Sequence, residues 1–169
     1  MKKGRASGNP LREYRRVMRE VRAVYDPFTA QHCATCTTPC CIRPTRVTPL
    51  DVALATGVGH RFEHLAPLDP YDVALDHSAQ RLGPSSVPLD VIDDEPVETP
   101  CEFLLRGRCT FPDDLRPFGC TTYICTPMYD HMPAEDLRKL KRLIRSLGDS
   151  HENLLRALKA AGQAVDPEG

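Results

Sequence analysis

The sequence predicts a small, mainly α-helical single domain with an irregular, loop-rich centre that is held together by bound metal. Three observations lead to this fold class. Segments near both ends of the 169-residue chain repeat apolar residues with helical periodicity. The middle is rich in proline, of which the chain has 16, and the eight cysteines fall into two groups of four. We expect the N- and C-terminal amphipathic helices to pack together against the cysteine-containing centre.

Composition divides the chain into four consecutive segments: a flexible N-terminus at 1–8, a cysteine-cluster domain at 9–132, a C-terminal helical segment at 133–162 and a flexible tail at 163–169. The cysteine-cluster domain includes an acidic, proline-rich insertion at 66–100. This insertion is interpreted as a solvated connector with a short strand at 87–92, in preference to a lid over a substrate.

The first predicted helix covers residues 10–28. Its apolar residues recur at alternating steps of three and four, the heptad pattern of a helix with one buried seam. They are Leu11, Tyr14, Met18, Val21, Tyr25 and Phe28. Asn9 is suited to cap this helix and Pro10 to its first turn. Pro27 is expected to end it near Asp26.

After the first cysteine group, residues 42–47 are expected to be extended. A short second helix then begins after Thr48, which suits an N-cap, with Pro49 at its first position and Asp51 in its first turn. Gly57 is expected to close this helix.

The C-terminal helix is predicted from Pro133 to about Ala161. Seven positions keep heptad spacing: Leu137, Leu140, Ile144, Leu147, His151, Leu154 and Leu158. Gly148 either breaks this segment into two helices or weakens one long helix. We expect an antiparallel hairpin with the first helix, and a dimer through the same seams is the alternative.

The cysteines carry the strongest functional signal. They are arranged as Cys33-x2-Cys36-x3-Cys40-Cys41 and Cys101-x7-Cys109-x10-Cys120-x4-Cys125. No secretory segment and no run of 18 apolar residues is visible, so we expect a cytoplasmic chain without a membrane span. In a reducing compartment, clustered thiols are typical of metal ligands, in preference to disulfides or plain buried thiols.

Spacing constrains how the thiols share metal. The short loop between Cys33 and Cys36 allows both sulfurs to bind one ion. Cys40 and Cys41 are adjacent, and in an extended segment they point to opposite faces. We therefore expect the two groups to meet in space. Eight thiolates suffice for two four-ligand sites, and one cluster with four spare thiols is the alternative.

Charge is distributed unevenly although the net charge is −1. Residues 1–22 carry eight bases and two acids, whereas residues 51–99 carry two bases and ten acids. The bases of the first helix lie off its apolar seam, as on any solvated face. This disfavours nucleic-acid binding and favours contact with the acidic middle segment, in the same chain or in a dimer.

Lysine is absent between Lys3 and Lys139, whereas arginines flank the cysteines. A four-thiolate site with Zn²⁺ or a [4Fe–4S]²⁺ cluster carries a net charge of about −2, which guanidinium groups can offset. A general preference for arginine over lysine is the alternative explanation. Arg116 is the strongest candidate for contact with the ligands, and Tyr123, between Cys120 and Cys125, is expected to pack over the site.

The residues also resemble the YkgJ-type cysteine-cluster family, the CxxCxxCC proteins, which are described as zinc- or iron-chelating. Four stretches match in order: Cys33-Ala-Thr-Cys36-Thr-Thr-Pro-Cys40-Cys41, Cys101-Glu-Phe-Leu104, Cys109-Thr-Phe111 and Arg116-Pro117-Phe-Gly-Cys120-Thr-Thr-Tyr123-Ile-Cys125. One extra residue precedes Cys40 and another lies between Cys109 and Arg116. Pro112 replaces a tyrosine of the family pattern, and Thr121 replaces an arginine.

The resemblance implies a bound iron–sulfur cluster or zinc. A related protein, the flagellin lysine N-methylase, has a similar cysteine block, but no glycine-rich turn that would bind a methyl donor occurs in this sequence. The six histidines form no HExxH motif, although His32 adjoins Cys33 and is a possible replacement ligand.

The leading interpretation is a protein that holds one or two iron–sulfur clusters, [4Fe–4S] in preference, with a redox, sensing or assembly-related role. A zinc-binding interaction module is the first alternative, and an enzyme related to the N-methylase is the second. The sequence leans against an enzyme. A protein partner is compatible with these patterns, but none is identified by them.

Overall fold

A computed structural model of the chain describes residues 8–33, 36, 47–63, 101–106 and 108–165, with side chains described as far as 162. These residues are mainly helical, which confirms the mainly helical part of the predicted fold class. The predicted features at 1–7, 42–46, 66–100 (including the strand at 87–92) and 166–169 lie outside the described residues. None of the described helices is long and apolar enough to cross a membrane.

Helix α1 extends from Pro10 to His32, and the side chain of Asn9 caps it as predicted. The Asn9 Oδ1 atom accepts hydrogen bonds from the backbone N–H groups of Leu11 (3.0 Å) and Arg12 (3.3 Å). The predicted seam is buried apart from Leu11, which is partly buried, and Val17 joins it. The heptad pattern therefore identified the buried face of this helix.

The prediction that Pro27 ends α1 was wrong, because the helix continues through Pro27 to His32. Pro27 is on the exposed face, so its ring disturbs solvent-facing backbone and not the packed seam. The next residue, Phe28, is only 8% exposed, and its ring stacks on His32 at a centroid distance of 4.3 Å. Burial of this last turn offsets the roughly 3 kcal/mol that an interior proline costs a helix.

Helix α5 extends from Ala134 to Val165 without a break at Gly148. It therefore begins within one residue of the predicted start and ends four residues beyond Ala161. All seven heptad positions are buried or pack against the main core. His151, the polar interruption in the pattern, is only 6% exposed.

The main core lies between α1 and α5, which pack against each other. Tyr14, near the start of α1, contacts His151 of α5 at a ring-centroid distance of 5.7 Å. His32, at the end of α1, stacks on His131, just before α5, also at 5.7 Å. Because the contact partners run in opposite order along the chain, the two helices are antiparallel.

A second, smaller core joins helix α2 (Pro49–Gly57) to a hairpin. Strand β1 (Leu104–Leu105) pairs antiparallel with β2 (Arg108–Cys109), with Leu104 opposite Cys109. The buried members of this core are Val52, Ala55, Phe62, Phe103 and Phe111. As predicted, Thr48 and Asp51 form a capping box and the helix ends at Gly57.

Asp51 also connects the two cores. It is 3% exposed, and its Oδ2 atom accepts hydrogen bonds from the backbone N–H and the hydroxyl of Thr48, both at 2.8 Å. Its Oδ1 atom accepts a hydrogen bond from the backbone N–H of Phe118 at 3.0 Å. Phe118 begins the short helix α3 (Phe118–Thr121), and its ring stacks on His151 at 4.2 Å.

Burial raises the pKa of the Tyr14 phenol, and the charge of Asp51 raises it further.

Substitution of Gly148 by alanine should stabilise the protein by about 0.5–1 kcal/mol, because Gly148 is in the interior of α5 and an added Cβ would contact nothing within 4 Å. Urea unfolding measures the difference. Gly59→Ala is the matched control: Gly59 has φ +89°, so its substitution should destabilise the protein. Equal effects of the two substitutions would contradict the continuous helix.

Substitution of Asp51 by asparagine should destabilise the protein by roughly 1–3 kcal/mol, since one amide oxygen cannot serve the donors on both sides and a buried N–H is left unpaired. Thermal or urea unfolding measures this loss. Asp130→Asn, at an exposed position of the same charge, is expected to change stability by less than about 0.5 kcal/mol. If Asp51→Asn unfolds like wild type, Asp51 does not connect the cores.

Candidate metal centre

The described cysteines of the first group lie at the end of α1. Cys33 is the C-terminal cap of this helix, with its backbone N–H bonded to the carbonyl oxygen of Thr29, and it is exposed. The backbone N–H of Cys36 donates to the carbonyl oxygen of Cys33 at 3.3 Å. Cys40 and Cys41 lie outside the described residues.

Two cysteines of the second group are held by the hairpin. Cys109 is in β2, and Cys101 precedes β1, where its carbonyl oxygen accepts a hydrogen bond from the backbone N–H of Leu104 at 2.8 Å. Both are half-buried against the smaller core. Arg106, in the connecting turn, has a positive φ of 50°. The position of these two thiols thus depends on the packing of the hairpin against α2.

The last two cysteines lie on either side of a short connection. Cys120 is in α3 and is exposed, whereas Cys125 caps the start of helix α4 (Thr126–His131) and packs against the main core. The carbonyl oxygen of Cys125 accepts the backbone N–H of Met128 at 3.0 Å. The second group therefore spans both cores.

Within the described ranges, no three histidine, cysteine, aspartate or glutamate side chains lie together as a group able to hold a metal ion. The structure brings Cys101 and Cys109 to the same core and places Cys125 on the other. It describes six of the eight candidate ligands. The donor set itself, thiols at the ends of helices and strands, suits the soft metals that prefer sulfur.

The basic face of α1 is attached to the second cysteine group through Asp114. Arg15 donates from Nε (2.9 Å) and Nη2 (2.8 Å) to the Oδ2 atom of this residue, and Arg19 donates from Nη1 (2.8 Å). Asp114 is in a short 3₁₀ turn, Asp113–Leu115, that packs against α1. The basic face therefore contacts an acid just before the Arg-Pro motif, while the predicted partner segment at 66–100 is outside the described residues.

Arg116, the predicted neighbour of the ligands, is close to Arg22 of α1. The Nη2 atom of Arg116 is 3.4 Å from Asp113 Oδ1, and its Nε atom is buried without a hydrogen-bond partner in the described ranges. The Arg22 Nε atom is also buried without one. Burial lowers the pKa of Arg22, as does the charge of Arg116, whereas Asp26 raises it.

Tyr25 connects α1 to the segment between Cys120 and Cys125. Its hydroxyl donates to the carbonyl oxygen of Tyr123 at 3.5 Å, and its ring lies 5.3 Å from the guanidinium carbon of Arg22. The expected packing of the Tyr123 side chain over the site stays a prediction, because these contacts involve only its backbone carbonyl.

His32 lies beside Cys33 in a stack of three rings. Its ring is sandwiched between Phe28 and His131, and it is nearly parallel to His131, at 5°. The position of His32 next to Cys33 marks it as a candidate ligand, whereas the neighbours of His131 in the sequence do not indicate that it contacts His32.

Sequence reasoning also missed Arg22 and Asp114 as neighbours of the cysteine groups. In the sequence, Arg22 is one of several arginines of α1. Only the folded structure, in which it lies near Arg116, distinguishes it from the others. Comparisons with models of protein families, with curated proteins and with solved structures found no match. The resemblance to the CxxCxxCC proteins therefore depends on the quoted residues alone.

Substitution of Asp114 by asparagine should destabilise the protein by about 1 kcal/mol, because two guanidiniums lose a charged acceptor that is itself mostly buried, at 17% exposure. The difference from wild type should shrink in about 1 M salt, where the Debye length is about 3 Å. Urea unfolding at two salt concentrations measures both effects. Asp113→Asn, next to it but 83% exposed, is the control and should have little effect. A salt-independent loss would assign the effect to packing.

Proposed function

We propose that this chain is a metal-binding protein that holds one or two iron–sulfur clusters, [4Fe–4S] in preference, through its eight cysteines. Its role is redox, sensing or assembly-related. One observation carries the proposal: two groups of four cysteines are separated by 59 residues without any. An all-thiolate set of this number suits cluster ligation.

The surroundings of the described cysteines support this proposal. Three of them, Cys101, Cys109 and Cys125, pack against the cores, and Cys109 is also in the paired strand β2. Such anchoring favours ligands that are positioned before metal arrives. The first group, Cys33, Cys36, Cys40 and Cys41, would supply the remaining thiolates. When bound, a cluster supplies a one-electron couple.

The basic residues near the second group also support a negatively charged centre. Arg116 adjoins Pro117 three residues before Cys120, and Arg22 lies against it from α1. Positive charge and N–H donors near cluster sulfurs raise the reduction potential. The guanidinium groups of Arg22 and Arg116 would therefore raise the reduction potential of a cluster bound at this position.

Structural zinc is a second candidate, favoured by the size of the smaller core. That core has five buried residues, two of which belong to the hairpin segment that carries Cys101 and Cys109. A zinc site contributes an apparent ~10–16 kcal/mol to folding, which is comparable to the whole stability of a domain. In this case the metal would stabilise the fold, and the helices would form a surface for binding another protein.

Metal analysis with a visible spectrum on anaerobically purified protein tests the proposal. We expect a brown protein whose colour dithionite bleaches, with about four iron and four labile sulfide per chain for one [4Fe–4S] cluster and about eight of each for two. Cys120→Ser should lower the iron content. Thr126→Ser, an exposed change in the same region, should leave the iron content unchanged.

Colourless protein with about one or two zinc ions per chain, unfolded by chelator, would replace the cluster by a structural zinc site. Protein prepared anaerobically without iron and without zinc would contradict both candidates. Iron that Cys120→Ser and Thr126→Ser retain equally would show that Cys120 is not a ligand.

A further inference from the structure

Three arginines follow one face of α1, and a fourth, Arg116, follows the turn that packs against this helix. Arg15 and Arg19 bind Asp114, and Arg22 follows one turn later on the same face. Arg116 comes two residues after Asp114 in the chain. Because α1 packs against the Asp113–Leu115 turn, Arg22 lies close enough to Arg116 for the two charges to interact.

The acids at this junction pair with the Nη2 atoms of the two guanidiniums but not with their Nε–H donors. Arg22 pairs with Asp26 and lies over the Tyr25 ring, with its side chain only 12% exposed. Within the described part of the chain, the ion pair of Arg116 is with Asp113 at 3.4 Å, which is long for a charged hydrogen bond, and Asp113 is 83% exposed. The Nε–H donors of both arginines are buried and have no acceptor among the residues that the structure describes.

The Arg22 and Arg116 side chains are half-buried, at 12% and 26% exposure, and each has a buried Nε–H donor. Two neighbouring cations with unused donors repel each other and are stabilised when an anion lies between them. A guanidinium presents Nε–H and Nη–H as a fork, which matches two acceptor atoms of one anion. Burial lowers the pKa of Arg22 and repulsion by Arg116 lowers it further, although Asp26 and Asp113 act in the opposite direction.

We propose that Arg22 and Arg116 form a binding site for a compact dianion at the junction of α1 and the Arg-Pro motif. Two sources supply this chemistry: the metal–thiolate centre of the same chain, or a free oxyanion such as phosphate. Only the first source rests on the function proposed above. Both sources require the same two arginines.

Calorimetric titration of phosphate into the purified full chain, compared with chloride at matched ionic strength, tests the free oxyanion. To test the metal–thiolate centre, a chelator is added to the metal-loaded protein and the rate of metal release is measured. The variants are Arg22→Gln and Arg116→Gln, and the control is Arg12→Gln, an exposed arginine of the same helix. Asp113→Asn removes the carboxylate that competes for Arg116.

For a free oxyanion, Arg22→Gln and Arg116→Gln should each weaken phosphate binding about tenfold or more, as loss of a charged hydrogen bond predicts. Asp113→Asn should tighten it and Arg12→Gln should not change it. For the metal centre, phosphate does not bind, and the first two variants should release metal about tenfold more readily than Arg12→Gln. Asp113→Asn should then slow the release.

The proposal is overturned if phosphate does not bind and all four variants release metal like wild type, or if phosphate binds equally to Arg22→Gln and wild type. A chain without any metal would end the function proposed above, and the phosphate titration alone would then decide this site. Asp113→Asn keeps both arginines, so the test stands even where the glutamine variants fail to fold.

Discussion

The buried carboxylate of Asp51 joins the two cores at helix α2, whose Leu50 and Leu54 belong to the main core and whose Val52 and Ala55 belong to the smaller one. One oxygen atom completes the capping box of α2, which packs against the hairpin of Cys101 and Cys109, and the other binds the backbone N–H of Phe118 at the start of α3. Phe118 stacks on His151, inside the main core. Because a buried carboxylate is costly unless it accepts hydrogen bonds, its donors must come together when the chain folds. A helix cap thereby fixes the position of the Arg-Pro motif relative to the hairpin.

Helix α1 connects the cysteine-containing segments through two different faces. Its apolar face packs against α5 and forms the main core. Its basic face binds Asp114 and brings Arg22 to Arg116, next to the segment that carries Cys120 and Cys125. The C-terminal end of the same helix carries Cys33. One rigid element thus spans from the first cysteine group to the second, so its position affects both.

Local patterns predicted the helices well because periodicity and capping are properties of a few neighbouring residues. The seam of α1, the Asn9 cap, the capping box at Thr48 and the seam of α5 are all present as expected. The prediction that α1 ends near Pro27 was wrong because a local rule accounts for the hydrogen bond that proline removes but not for the burial of Phe28 after it. The effect of Gly148 was left open for the same reason: packing on both sides of it decides whether α5 continues.

The sequence by itself determined the donor chemistry, because eight cysteines in two groups are a fact of composition and spacing. It also determined which helix faces are apolar. Only the tertiary structure decided which partners these faces and charges meet. Asp51 and Phe118 are 67 residues apart, and Arg15 and Asp114 are 99 apart. Periodicity states which side of a helix is buried but not against what, and the environment of a charge depends on residues that are distant in the chain. The junction of Arg22 with Arg116 is therefore a property of the fold.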